Sequence, residues 1–510
     1  MRPVRLRLFL LFQALYALTS SGNAFRVPDE FEVYYQVEHL VDAGDLSIPQ
    51  AVTSGRFFGR IGVDQKPYAP YGPLAAGLAL PHHLLARGVA SIAGIPRESV
   101  TWTFVVSGLT MLATSTAAAL AVVGFHRAAM LVGASPAAAL LLSLMLGGAT
   151  VLWTYGTNFY SEAWQAAIFV WAAVYLLEGR VVLASVLLAM AGLTKVTSLV
   201  FAPGFVAAVM ADRSLSLERR LRAVMVLIAG VTAAVAIHLA WNHFRFGDMF
   251  EVGYNWAETV PVLPARPFLL SELPRGLVVL LLSPGKSILL WAPALVLALA
   301  RVRTCPRPLM TGVATSAACG LIFYGAYLFP EGGYAHGPRH LVPILPLLLL
   351  PAATPGPPWR REFVTACAAI GVAMAILSVS VSFLQDQALG SDFRRFGYYE
   401  RIDPAPGRAW NRYSLEYLPF MTATTSGDWP DSPRVGAGLD FFPLHLMRAK
   451  AAIPGARAIP AWLPWTLVLG WCCLLLAAAT TLWSTTGLSI WPRKQAPSAE
   501  AAHHFEVRWR

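Results

Sequence analysis

The chain has 510 residues, of which 56% are hydrophobic and only 13% charged, with a net charge of +11 and a mean hydropathy of +0.55. These values exclude an ordinary soluble globular protein and describe one that crosses a bilayer many times. The positive balance does not call for nucleic acid, because the basic residues cluster in short segments between apolar runs, as the positive-inside rule expects.

In chain order, apolar stretches of spanning character fall at roughly 6–23, 101–124, 135–153, 160–177, 181–194, 196–210, 222–243, 276–300, 310–329, 340–353, 362–384 and 462–484. In lipid each must be helical, since every backbone N–H and C=O has to be satisfied within its own segment. The expectation is therefore an all-α polytopic membrane protein with about twelve transmembrane helices. The first stretch, preceded by Arg2, Arg5 and Arg7, reads as an uncleaved span rather than a signal peptide, because many hydrophobic segments follow it.

A cytoplasmic N-terminus places His126-Arg127, Glu178-Gly179-Arg180, the Arg213 to Arg222 cluster, Arg301-Val302-Arg303, Arg360-Arg361 and Arg493-Lys494 on the inside. Residues 71–94 are apolar enough to cross, but counting them as a span inverts every later loop. They are read as an embedded or surface-lying element on the outer side, with Pro73, Pro81, His82 and His83 favouring an irregular or kinked helix. Residues 181–194 and 196–210 form a broken pair joined at Thr194-Lys195. Ser283-Pro284-Gly285-Lys286 predicts a second break, of the kind tolerated beside a polar cavity.

This divides the chain into a membrane core at 1–384 with an outer first loop at 24–100, an outer loop or small cap at 385–461, a final span at 462–484 and a cytoplasmic tail at 485–510. Cys305, Cys319, Cys367, Cys472 and Cys473 all avoid the expected outer segments, so they support neither a disulfide framework nor a thiolate metal cluster. There is no internal repeat or dinucleotide fingerprint, and Ser-Pro-Gly-Lys lacks the upstream glycines of a phosphate-binding loop.

Four polar clusters share the outer side. Asp29-Glu30 follows Pro28, where acids in a first turn suit the helix dipole, so a helix cap and a reactive carboxylate are both open readings. In Asp64-Gln65-Lys66-Pro67-Tyr68-Ala69-Pro70-Tyr71, Lys66 suits a lipid phosphate, although Lys beside Tyr also occurs as an interfacial anchor. Tyr160-Ser161-Glu162 opens a span, where an acid has to face a polar cavity or headgroup water. Glu331 to His340 contains Tyr334, His336, Arg339 and His340; Arg339 can grip a phosphate oxygen pair, with headgroup binding alone as the blander role. Together the carboxylates could remove a proton from an acceptor, while the cations, Lys195 and Lys286 included, could stabilise a departing phosphate.

The ordered set of these motifs over most of residues 5–384 resembles the integral-membrane C-type glycosyltransferases that use polyprenyl-phosphate sugars, the group containing protein O-mannosyltransferases and lipid A aminoarabinose transferases. The resemblance implies that fold, with outer juxtamembrane helices, and transfer of a sugar from a polyprenyl-phosphate donor to a lipid, glycan or protein acceptor, with inversion. It implies a bacterial-type cytoplasmic (inner) membrane protein acting on the periplasmic or exterior face. Asp29 becomes the leading catalytic carboxylate, with Glu30 and Glu162 beside it; Glu162 stands where the family commonly has aspartate. Lys66 matches the lysine of a Lys-Pro-Pro loop whose second proline is here Tyr68. Lys66, Arg339, Lys195 and Lys286 are the donor-phosphate candidates, and Asp64, Tyr68, Tyr71, Tyr160, Tyr334, His336 and His340 the acceptor- or sugar-binding ones. A hard cation, Mg²⁺ or Mn²⁺, is chemically compatible with Asp29 and Glu162, with Glu30 nearby. Two other functions compete: a lipid or polysaccharide transporter, whose helices are also broken, and an inert membrane scaffold.

Overall fold

The computed structural model describes residues 2–22, 27–55, 57–254, 268–283, 285–330, 332–333, 335–380, 460 and 462–486. The expected cap at 385–461 and the tail from 487 onward lie essentially outside these residues, as does Tyr334.

Five helices are long and apolar enough to cross a membrane: Val100–Leu131, Leu217–Phe246, Arg307–Gly325, Arg361–Ser380 and Trp462–Thr480. Five apolar helices are shorter: Pro136–Gly148, Glu162–Leu177, Val181–Thr194, Val196–Ala211 and Arg339–Ala353. The fold is thus a multi-pass helical bundle, and the described residues hold five full-length spans rather than twelve. The physical reason is reach: at about 1.5 Å per residue, a helix of 14 to 16 residues falls short of a core about 30 Å thick. Prolines account for one shortened element. Pro343, Pro346 and Pro351 each lack an N–H, and 339–353 is a 3₁₀–α–3₁₀ succession rather than one helix.

Both expected breaks are present. Val181–Thr194 stops at Lys195, whose backbone is extended, before a 3₁₀ turn resumes at Val196. The expected span at 276–300 is divided into Leu273–Leu281, Ile288–Trp291 and Leu295–Leu299, with Ser283 and Gly285-Lys286 in the gap. The Pro73–Ile92 segment differs from expectation, since it is an unbroken 20-residue helix that runs through Pro81. A two-stranded antiparallel ribbon, Arg60–Ile61 on Pro67–Tyr68, also departs from an all-helical chain.

Local sequence explains the element ends that matter for the site. Pro28 occupies the first turn of Pro28–Ala43, Asp29 and Glu30 sit in that turn as the dipole favours, and Gly44 closes the helix at φ 78°. Helices meet through small residues: Gly204 of Ala202–Ala211 lies against Gly312 and Ser316 of Arg307–Gly325, and Gly230 against Ser185. The largest apolar cluster runs through Arg2–Leu18, Leu112–Leu131, Pro136–Gly148 and Glu162–Leu177. This packing fixes both ends of Glu162–Leu177, so the bundle has one end marked by Glu162 and another marked by Arg127 paired with Glu178.

Candidate active site

Four chain segments far apart in sequence deliver one charged network. Asp29 comes from the first turn of Pro28–Ala43 and Glu162 from the first residue of its helix. Lys195 comes from the break after Thr194, and Arg339 from the start of a 3₁₀ turn. Arg339 Nη2 donates to Asp29 Oδ1 at 2.5 Å and Arg339 Nε to Glu162 Oε1 at 2.8 Å, while Lys195 Nζ donates to the same Glu162 oxygen at 3.0 Å. The Arg339 guanidinium also lies over the Tyr160 ring at 4.1 Å, which adds a cation–π contact.

Burial gives the four charges different freedom. The Glu162 and Arg339 side chains are 1% and 7% exposed, against 20% for Lys195 and 30% for Asp29. Glu162 therefore sits behind the cations and holds them. Asp29, Lys195 and Arg339 border a cavity of about 500 Å³. The network carries two negative and two positive charges, so it is balanced as it stands.

Two glycines make the close approaches that the geometry needs. Gly72 lies directly against the Leu193 carbonyl, where a Cβ would collide with backbone, so the outer loop can press on the break that presents Lys195. Gly332 has φ 80° and a Cβ there would stand 2.7 Å from that of Arg339.

Glu30 separates from its neighbour. It is fully buried, and its Oε1 accepts the Phe159 N–H at 3.1 Å, so it fastens the first helix to the segment leading into Tyr160. Tyr71, Tyr160 and His340 line the cavity. His340 stacks on Tyr324 with ring centroids 4.3 Å apart, and its Nε2–H donates to the Phe329 carbonyl oxygen at 3.3 Å.

The remaining candidates lie elsewhere. Lys66 Nζ donates to Asp45 Oδ2 at 2.8 Å on an exposed loop, and Tyr68 donates to Asp64 Oδ2 at 2.8 Å in the same loop. Burial raises the Asp45 carboxyl, but hydrogen bonds from Lys66 and Ser47 outweigh it and hold the group well below its ordinary range; the same contact raises Lys66. Lys286 is buried and donates to the Ala335 carbonyl, and His336 stacks on Trp291. None of Asp64, Lys66, Tyr68, Lys286 and His336 borders the cavity.

Sequence reading missed an aromatic part of the cavity wall: Phe58, Tyr254, Phe268, Phe323, Tyr324 and Tyr327. It also missed Glu32, one turn beyond Asp29. Glu32 is fully buried, and its Oε1 accepts the backbone N–H groups of Phe58 at 2.7 Å and Gly59 at 3.2 Å. Burial pushes this carboxyl up to about 8, with the nearby Asp29 adding to the rise and the two backbone donors opposing it. The Asp-Glu-Phe-Glu spacing was visible, but a third acid in an amphipathic helix carries no sign of its burial.

The carboxylates that could meet a divalent cation are engaged by protein groups in this structure. An oxygen of Asp29 and one of Glu162 are each taken by Arg339, Glu30 is engaged by backbone, and no three His, Cys, Asp or Glu side chains gather among the described residues.

No family model and no curated protein matches the chain. Among solved structures it is similar to ArnT from Cupriavidus metallidurans in the apo state, at 16% identity and TM-score 0.45 over 80% of this chain and 74% of that one. It is similar to the same protein bound to undecaprenyl phosphate, at 13% identity and TM-score 0.47 over 95% and 79%. The apo oligosaccharyltransferase of Archaeoglobus fulgidus gives 11% identity and TM-score 0.41 over 79% of this chain and 60% of that one. Likeness at these scores adds no weight to the residue geometry, which carries the functional reading.

Proposed function

We propose that this chain is a multi-pass C-type glycosyltransferase of a bacterial-type cytoplasmic membrane. It transfers a sugar from a polyprenyl-phosphate donor to a lipid, glycan or protein acceptor on the outer face. The observation that carries the proposal is the shared cavity wall: a part-exposed carboxylate, Asp29, stands beside two cations, Arg339 and Lys195, that are braced from behind by buried Glu162.

The reaction follows from that arrangement. An acceptor hydroxyl or amine attacks the anomeric carbon, the bond from that carbon to the phosphate oxygen breaks, and polyprenyl phosphate leaves with the electron pair. Arg339 and Lys195 stabilise the charge that develops on the phosphate. Asp29 accepts the acceptor's proton. Because Arg339 binds Asp29 before any donor arrives, an incoming phosphate competes for the guanidinium and frees the carboxylate for the acceptor. Binding the donor thereby switches on the base. Glu30 and Glu162 act as positioning groups in this reading, and no step is routed through a metal. The aromatic wall gives a sugar ring apolar faces to lie against.

Transfer from labelled polyprenyl-phosphate sugar by the full chain in nanodiscs, supplied with membrane extract as acceptor source, is the experiment. Wild type transfers label, whereas Asp29→Ala does not. Full activity in Asp29→Ala would end the assignment of the base. Movement of lipid without a new glycosidic bond would favour a transporter instead.

A further inference from the structure

A second cavity of about 370 Å³ lies at the opposite end of the bundle from Arg339. It is bordered by Leu176 and Leu177 at the far end of the Glu162 helix, by Phe205 and Val209, and by Leu309 and Val313. Leu347 and Leu350 supply another wall, so most of its interior is apolar. Arg213 and Arg307 also border it, both are exposed, and neither forms an ion pair among the described residues. Asp212, also at the border, holds its own turn through the Ser214 N–H at 3.0 Å and the Ser214 hydroxyl at 2.6 Å.

We infer that this cavity is a binding site for an anionic phospholipid, with an acyl chain inside and the headgroup phosphate held by Arg213 and Arg307. The two halves of the site select this occupant together. An apolar solute would fill the interior and leave two guanidinium groups unused, and a soluble anion would use the guanidinium groups and leave the apolar walls unfilled. A phospholipid satisfies both, because its charge is covalently tied to hydrocarbon at the boundary where these arginines sit. The site is separate from the donor site. The Glu162 helix has 16 residues and places about 24 Å between Glu162 and the end that borders this cavity.

The experiment is native mass spectrometry of the full chain in detergent, titrated with phosphatidylglycerol and separately with phosphatidylcholine. Phosphatidylglycerol should bind the wild type more tightly, and R213A/R307A should weaken it by about tenfold or more, as expected for losing charge-assisted contacts to phosphate. R213K/R307K should keep a preference for the anionic lipid, which separates loss of charge from loss of fold. Equal binding of the two lipids by the wild type would overturn the inference, and so would unchanged phosphatidylglycerol binding by R213A/R307A. Displacement of the lipid by millimolar inorganic phosphate alone would also overturn it. Sugar transfer does not enter the readout, so failure here is distinguishable from failure of the proposed reaction.

Discussion

Two acid–base clusters serve this chain in different ways. Around Arg339, four charges from segments up to 310 residues apart are drawn into a mostly buried network at a cavity wall. Around Lys66, one lysine and one aspartate meet on an exposed loop 21 residues apart. Buried charges are held by mutual dependence, because removing one strands its partners out of water. Exposed charges exchange partners with solvent and are held loosely. The network is therefore built to keep geometry, whereas the half-exposed Lys66 ammonium can exchange Asp45 for another anion.

The largest effect should come from Arg339→Gln, which leaves Asp29 without its ion-pair partner and Glu162 with Lys195 alone. Breaking a buried pair in this way costs about 3–5 kcal/mol, so a lower unfolding temperature should accompany loss of transfer. Unchanged stability would mean that Arg339 is not the centre of the network. Asp29→Asn should cut the transfer rate by about 10²–10⁴-fold, the range for a positioned base, while donor binding persists. Steady-state kinetics with labelled donor would show that as a fall in kcat together with a lower donor KM, because a neutral amide competes less well than Asp29 for Arg339.

Lys66→Ala sharpens the contrast. The fold should not notice it, since Lys66 stands half in water. If the loop carries Lys66 to the donor phosphate, the donor KM rises in this variant while kcat falls less than in Asp29→Asn. A wild-type KM would remove Lys66 from donor binding and leave it as an outer-surface ion pair.

A smaller effect belongs to Glu32. Its carboxyl is raised from 4.5 to about 8 in the folded chain, so the fold favours the protonated form. The stability linked to this group is complete below 4.5 and is lost as pH rises toward about 8. Glu32→Gln should flatten that part of the decline between pH 5 and 8, read as unfolding temperature in detergent. An identical slope in both proteins would show that Glu32 is not held neutral.

Sequence patterning carried the parts of this structure that depend on local rules. The break at Ser283 to Lys286 follows from its proline and glycine, the break at Lys195 coincides with a charge between two short apolar runs, and acids after Pro28 follow from the helix dipole. Scarcity of charge made Asp29, Glu162, Lys195 and Arg339 stand out in apolar surroundings. Their convergence was not legible, because it depends on how helices pack rather than on spacing. The same limit hid Phe323, Tyr324 and Tyr327, which in sequence look like aromatic residues at a membrane boundary and in the fold form a cavity wall. It also placed Lys66 with the donor ligands, whereas the folded loop pairs it with Asp45, a residue with no motif around it.

The central claim is that a lipid phosphate competes with Asp29 for Arg339. The most direct measurement is a structure of the full chain in nanodiscs with polyprenyl phosphate, read for the position of the phosphate density. The account predicts phosphate against Arg339 and Lys195, with the Asp29–Arg339 contact opened. Phosphate bound elsewhere, with Arg339 still closed on Asp29, would contradict it.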